Sequence, residues 1–315
     1  MFSSWAFFQK EIALETSLRS SENFPNQINP YYVTGFCDAE SSFIVSIRDS
    51  RTNRIPWKVE AKFQIGLNSK DTEILYKIQE IFKGVGTITF HKDMVYYQVR
   101  DIKSIQNVII PHFEKYPLRS AKSIDFLLFQ KCIMLMSNKE HLIESGLEQI
   151  IAIKAALNLG LLDKLKLAFP HVIPIVRPDY NLSEDALDPH WITGFTEGDG
   201  SFIFYLGANS IKATYAIHLH KREEPLLIKI MDFFSSKGYI TGAKTQTSIM
   251  YRITAKSDLN SIIIPHFDKY RLSGIKSHNY IIWKQMLILF TNKLHLTEKG
   301  LAQLKLLKSS LNNIN

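Results

Sequence analysis

Cysteine is nearly missing from this sequence. Two thiols, Cys37 and Cys132, among 315 residues make neither a disulfide framework nor a zinc-binding pattern. They read as reduced, buried side chains of an intracellular protein. Long apolar runs are missing too. No stretch is long enough to span a bilayer, so no membrane partner is expected. The N-terminus, MFSSWAFFQKEIALETSLRS, lacks the unbroken apolar core of a secretory signal because Lys10 and Glu11 interrupt it. Glu11, Glu15 and Glu22 make it too acidic for an ordinary mitochondrial transit peptide. Residues 1–29 are therefore read as an extension outside the main fold. Negative charge is the last scarcity: 38 Lys and Arg stand against 30 Asp and Glu, a net charge of +8. That excess favours polyanionic partners, either nucleic acid or an acidic membrane surface. Hydrophobic residues at 45% and charged residues at 22% exclude a disordered chain, and the length suggests about two domains.

Proline is sparse and unevenly placed. Four of the eleven, Pro170, Pro174, Pro178 and Pro189, fall in one segment, which argues for an extended linker at 160–189; LLDKLKLAF at its start could form a short helix. On either side of it the sequence repeats itself. YVTGFCDAESSF (32–43) matches WITGFTEGDGSF (191–202). IIPHFEKYPLRSAKS (109–123) matches IIPHFDKYRLSGIKS (263–277), and SNKEHLIESGLEQI (137–150) matches TNKLHLTEKGLAQL (291–304). Copies this long are too large for solenoid repeats. They read as two homologous domains, 30–159 and 190–315, forming a pseudo-dimer.

Each copy has the same pattern of elements. Residues 31–41 read as a helix. FIVSIRD (43–49) and KVEAKFQI (58–65) alternate as strands, and DTEILYKIQEIF (71–82) has helical spacing. GTITFH and VYYQVR form a hairpin about Lys92-Asp93, followed by helices near 101–109, 120–136 and 140–158. The second copy places strands near 202–206, 212–219, 239–244 and 248–254. The expectation is an α+β fold of two pseudo-symmetric αββαββα halves, each with a four-stranded antiparallel sheet.

Gly35 and Ala39 are one helical turn apart, as are Gly194 and Gly198. Small residues at that spacing share a face and let two helix backbones approach closely. An acid follows each pair, Glu40 and Asp199. Packing the two helices together would bring these carboxylates together at the base of the domain interface. Two such acids repel unless cations lie between them, the arrangement of a two-metal phosphodiester hydrolysis site. Asp38 and Glu197 lie on another side of each helix and are assigned a structural role, capping or a salt bridge. The repeated histidines His112, His266, His141 and His295, placed on helices away from the motif, are assigned to packing or capping.

VTGFCDAES and ITGFTEGDG resemble the LAGLIDADG motif, and the repeat resembles the single-chain, double-motif branch of that homing endonuclease family, found in organellar introns. HFEKYPL, NKEHL and LKLAFP strengthen the resemblance, which covers about 30–312. It implies a DNA-binding saddle built from the two sheets. It implies Mg²⁺, with Mn²⁺ or Ca²⁺ able to substitute for binding, held by Glu40, Asp199, Ala39 and Gly198. It implies basic residues near the metals, matched here by Lys122 and Lys276, each in a K-S pair just before a helix. It further implies a monomer acting on double-stranded DNA across the minor groove, short 3′ overhangs and a mitochondrial location. An intron RNA maturase of the same fold, or a DNA-binding module without cleavage, are the competing functions; intact Glu40 and Asp199 favour the enzyme. Ser41 departs from the motif's final glycine, kept as Gly200, where glycine tolerates a tight turn. Leu67 and Leu219 leave no evident polar, solvent-organising residue on strand two.

Alternation assigns the outward sheet face. In the first half it carries Ile44, Ser46, Arg48, Lys58, Glu60, Lys62, Gln64, Thr87, Thr89, His91, Tyr96, Gln98 and Arg100. In the second it carries Ile203, Tyr205, Thr214, Ala216, His218, His220, Tyr239, Thr241, Met250, Arg252 and Thr254. Arg and Gln can bond bidentately to base edges, so Arg48, Gln64, Gln98, Arg100 and Arg252 are the expected direct readers. The two faces differ, which implies an asymmetric target longer than one helical turn.

Overall fold

The computed structural model describes residues 28–50, 55–158, 160–207, 210–242 and 247–312. Nearly all of the 1–29 extension, and the far end of the strand expected at 239–244, lie outside the described residues.

Both motif helices open in the same way. Asn29 accepts a hydrogen bond from Tyr31 N at 2.8 Å and Pro30 starts α1 (Pro30–Glu40); Asp188 accepts from His190 N at 2.8 Å and Pro189 starts α7 (Pro189–Asp199). A polar cap followed by proline favours a helix start, since proline's missing N–H is not needed there. After α1 come β1 (Ser41–Asp49), β2 (Trp57–Asn68), α2 (Thr72–Ile81), β3 (Thr87–His91), β4 (Met94–Val99), α3 (Ile110–Lys115), α4 (Lys122–Ser137) and α5 (Glu144–Ala156). After α6 (Asp163–Ala168) and α7 come β5 (Gly200–Leu206), β6 (Ile211–His220), α8 (Glu224–Phe233), β7 (Tyr239–Thr241), β8 (Ser248–Ile253), α9 (Ile264–Lys269), α10 (Lys276–Thr291) and α11 (Glu298–Asn312). The sheets are antiparallel with orders β1-β2-β4-β3 and β5-β6-β8-β7. This is the expected α+β architecture, made twice.

The helix expected near 101–109 differs in detail. It runs on to Lys115, and Ile105–Ile109 widens into a π-helix, as does Leu259–Ile263 in the second half. Pro111 and Pro265 follow these stretches, and proline leaves a carbonyl one turn back without its usual donor, which favours a wider turn.

Each half has its own core. In the first, Phe43 packs against Phe63, Phe113, Phe126 and Phe129, with ring centroids 5.2–5.5 Å apart. The second keeps the arrangement with Phe202 against Tyr215, Phe267, Tyr280 and Trp283 at 5.0–5.6 Å. Full burial of each such ring stabilises the fold by about 1.5–3 kcal/mol. The linker lies against the first half, packing Phe169, Val172, Ile175 and Tyr180 on its core. Arg177 donates to Asp125 Oδ1 at 2.8 Å and to the Ala156 carbonyl at 2.6 Å. Cys37 and Cys132 are buried and unpaired. No helix among the described residues is long and apolar enough to cross a membrane.

Contrary to expectation, His112 and His266 do not lie away from the motif; they pack against the motif helices, each within hydrogen-bond distance of a buried threonine: Thr34 at 3.1 Å and Thr193 at 3.2 Å. Burial holds His112 down to about 4 and His266 to about 3, against an ordinary value of 6.5. Below 6.5 the unfolded chain therefore binds protons that the folded chain refuses, so stability falls as pH falls. Acidification from pH 7 to 4 should cost on the order of 2 kcal/mol per histidine. Urea melts of the wild type and of the His112→Gln/His266→Gln double variant check this; equal pH slopes for the two proteins would refute it. His141 and His295 instead lie on the short 3₁₀ turns Glu140–Leu142 and Leu294–Leu296, and their Nδ1 atoms have no hydrogen-bond partner.

Candidate active site and nucleic-acid interface

α1 and α7 make the broadest contact between any two elements. Their glycines permit it. A Cβ on Gly35 would lie 2.1 Å from the Trp191 carbonyl oxygen, and one on Gly194 would lie 2.0 Å from that of Tyr32. The contact continues toward the helix ends, where a Cβ on Gly198 would lie 2.3 Å from Ala39 Cβ and 3.2 Å from Glu40 Oε1. Glu40 thus reaches across to the partner motif, beside Asp199.

Two crossing hydrogen bonds register the pair. Tyr32 Oη donates to Glu197 Oε2 at 2.7 Å, and the equivalent Trp191 Nε1 donates to Asp38 Oδ2 at 2.8 Å. Asp38 also accepts from Arg119 N, Ser120 N and Ser120 Oγ at 2.6–3.1 Å, and Glu197 accepts from Ser273 N at 2.9 Å. These acids have the structural role expected of them. They act as hydrogen-bond acceptors rather than as salt-bridge partners.

Charge is concentrated at the foot of the helices. Asp199 is raised to about 6, by burial first and by the charge of Glu40 second, with Lys122 and Lys276 opposing the rise. Glu40 is raised by burial against the pull of the same two lysines. Burial lowers both lysines, with neighbouring acids, Asp199 and Glu40 among them, opposing it. Lys122 Nζ donates to the Cys37 and Ala39 carbonyls at 2.9 and 3.1 Å; Lys276 Nζ donates to those of Thr196 and Gly198 at 2.9 and 2.8 Å. An ammonium suits these sites because the carbonyl oxygens at a helix C-terminus carry partial negative charge and each has two lone pairs. The lysines do not precede their helices, as the K-S pattern suggested; they are the first residues of α4 and α10.

Ser41 needs no glycine-only backbone. It and Gly200 are both extended, with φ of −90° and −83°. Gly200 is required for space, because a Cβ there would meet Thr196 Cγ2 at 2.4 Å. Cys37 replaces that threonine in the first copy, and Ser41 Oγ donates to its carbonyl at 2.7 Å.

A cavity of about 330 Å³ opens beside Glu40, bounded also by Asn68, Asp71, Gly198 and Lys276. Asp71, and Glu223 at its equivalent place, escaped the sequence reading. An acid ending each strand-two-to-helix turn, in NSKD and HKRE, was the available signal. Among the described residues no group of three or more histidine, cysteine or acidic side chains is placed to hold a metal.

The sheet faces are largely as alternation assigned them. Phe43, Val45 and Ile47 are buried, while Ile44, Ser46 and Arg48 are at least partly exposed, as are Lys58, Glu60, Lys62 and Gln64. Thr87, Thr89, His91 and Arg100 are exposed, and Tyr96 and Gln98 are half-buried. In the second half Ile203, Tyr205, His218, His220, Tyr239 and Thr254 are exposed, and Thr214, Thr241, Met250 and Arg252 are half-buried. Ala216 differs. It is 2% exposed, a methyl group in register with Ser201 on one side and the longer Arg252 on the other. Lys212, exposed and in register with Tyr205, belongs to this face and was missed; so do Ser42 and Ser201. His220 caps the turn after β6, accepting from Arg222 N at 3.2 Å. Leu67 and Leu219 point inward, and Asn68 and His220 occupy the neighbouring polar positions.

Three of the expected readers, Gln64, Gln98 and Arg100, form a chain. Lys62 Nζ and Gln98 Nε2 both donate to Gln64 Oε1, at 2.8 and 2.9 Å, and Arg100 Nη2 donates to Gln98 Oε1 at 2.7 Å. Glu60 is shared by Lys58 and Arg48 at 2.8 and 3.4 Å. Arg100 and Arg48 add to burial in lowering Lys62, and a polyanion would relieve that crowding of positive charge.

A family model described as LAGLIDADG endonuclease matches residues 33–133 and 192–287. A Neurospora crassa protein, probable intron-encoded endonuclease 2, is 38% identical over 295 residues, covering 90% of this chain and 65% of that protein. Probable intron-encoded endonuclease 3 of the same organism is 35% identical over 297 residues, covering 91% and 55%. The chain thus spans less than two thirds of the length of these two relatives. Among solved structures, the I-SmaMI LAGLIDADG homing endonuclease bound to cleaved DNA superposes with a TM-score of 0.87 at 33% identity, covering 92% of this chain and 98% of that one. I-GzeII in complex with its DNA target gives 0.84 at 34% identity, covering 90% and 97%. With two matched motifs, two matched domains and coverage of most of the chain, this protein belongs to the LAGLIDADG endonuclease family.

Proposed function

We propose that this chain is a site-specific endonuclease that hydrolyses both strands of a long, asymmetric DNA duplex with divalent metal. The observation that carries this reading is the meeting of one half-buried acid from each half, Glu40 and Asp199, at the foot of α1 and α7, within the field of Lys122 and Lys276. I-SmaMI, a structural neighbour, is known bound to uncleaved target in the presence of calcium ions, which supports a divalent-metal requirement.

The donor set suits Mg²⁺. Carboxylate and carbonyl oxygens are hard ligands, and Glu40 raises Asp199 by a repulsion that a shared cation would relieve. Glu40 and Asp199 would hold the metal with the Ala39 and Gly198 carbonyls. Each carbonyl already accepts from a lysine, and each has a second lone pair. When bound, the metal supplies an activated water and stabilises the leaving oxygen. Lys122 and Lys276 hold positive charge at fixed atoms where phosphorane charge would develop. The outward faces position the duplex through Lys58 and Lys62, with Arg48, Gln64, Gln98, Arg100 and Arg252 reading bases. The domains proposed are 30–159 and 190–315 joined by 160–189, acting as a monomer and leaving short 3′ overhangs. The N. crassa relatives, described as intron-encoded, are consistent with a mitochondrial setting.

Purified protein with Mg²⁺ should linearise a plasmid carrying a duplex selected from a randomised library, and EDTA should stop it. Binding and splicing of intron RNA with no DNA cut would overturn the reading.

A further inference from the structure

α4 and α10, the helices that begin with Lys122 and Lys276, have no side-chain cap from their own N-cap residues, Ala121 and Ile275. Neither residue has a side-chain acceptor to offer. Carboxylates from the opposite half meet the N–H groups of these N-cap residues themselves. Ile275 N donates to Asp71 Oδ1 at 2.9 Å, and Ala121 N donates to Glu223 Oε2 and Oε1 at 3.1 and 3.3 Å. Asp71 and Glu223 end equivalent 3₁₀ turns, Ser69–Asp71 and Lys221–Glu223, whose starts Asn68 and His220 cap. A carboxylate at a helix N-terminus satisfies an orphan donor and complements the helix dipole. Each lysine's backbone is thus anchored by the other domain, while its ammonium reaches the end of its own domain's motif helix.

We propose that Asp71 and Glu223 are positioning residues that act across the domain interface, Asp71 setting Lys276 and Glu223 setting Lys122. This rests on the nuclease reading. Because the two acids serve different lysines, each controls one strand's cleavage more than the other's. The two sides are also unequal. At the start of α4, Lys122 N also donates to Ser120 Oγ of its own half at 3.2 Å, whereas Gly274 at the matching place has no side chain. The charge of Asp71 also acts on Lys276 and Glu40. Lys276 therefore depends more on its distant anchor.

The test uses the full-length chain and a duplex selected with the wild type in Mg²⁺, each strand end-labelled. Asp71→Ala should slow the strand that Lys276→Ala slows by about tenfold and the other by less than about twofold. Asp71→Asn, which keeps an acceptor oxygen, should recover most of the rate. Glu223→Ala should slow the strand that Lys122→Ala slows, by a smaller factor. Equal slowing of both strands by Asp71→Ala would mean only a loosened interface and would overturn the proposal. Amide hydrogen exchange gives a readout independent of cleavage: Asp71→Ala should speed exchange over 273–278 and leave 119–124 unchanged. If the wild type cuts no duplex the nuclease reading fails, and unchanged exchange over 273–278 would separately overturn the crosswise anchoring.

Discussion

Asp199→Asn is expected to leave DNA binding within about twofold and to reduce cleavage by about a thousandfold or more. The amide keeps the shape of the side chain and removes the charge that a divalent cation needs. The same substitution should stabilise the metal-free protein. Burial and Glu40 raise Asp199 to about 6 from an ordinary 3.8, so the folded state binds the extra proton between those values and stability falls as pH rises through that window. Above it the ionised group is a net cost, on the order of 1–2 kcal/mol after allowance for solvent screening. Removing the charge should therefore raise the melting temperature in EDTA at pH 7.5 while abolishing turnover, the opposition expected of a functional site. Glu40→Gln should also lose cleavage and keep binding. Thermal melts in EDTA and strand-resolved cleavage check both effects. Normal cutting by Asp199→Asn would remove the site assignment outright.

Gly194→Val should destabilise the fold by about 3–5 kcal/mol, the range reserved for severe overpacking. Even the first carbon of the new side chain would lie 2.0 Å from the Tyr32 carbonyl oxygen and 3.0 Å from Phe36 N. Those are backbone atoms of a packed helix, so no side chain can rotate away to make room. α1 and α7 would have to separate, straining the Tyr32–Glu197 and Trp191–Asp38 hydrogen bonds and parting Glu40 from Asp199. Urea unfolding measures the loss, and cleavage should fall with it. A cost below about 1 kcal/mol would show that the helices do not need this close approach.

Much of this architecture is legible in the sequence. The repeat identified two halves, and the alternation of Phe43, Val45 and Ile47 set which sheet face is buried. The spacing of Gly35 and Ala39, matched by Gly194 and Gly198, marked the helix faces that meet. Less legible were features decided by volume. Ala216 alternates correctly yet is covered, because exposure depends on the length of its neighbours as well as on the direction it points. Ser41 was weighed as a conformational departure, but the relevant constraint is the identity of the residue one turn earlier, Cys37 or Thr196.

What the sequence determined by itself is local and periodic: the small-residue faces of the motif helices, strand faces, and the duplication that implies a pseudo-twofold. These follow from the fixed geometry of helices and strands, which any short window carries. Only the tertiary structure decided that Lys122 and Lys276 seat on the motif helices' last carbonyls, and that Asp71 holds Ile275 while Glu223 holds Ala121. Those partners are separated by 204 and 102 positions in the chain. Their pairing is set by how two domains dock through space, and no periodicity along the chain encodes that.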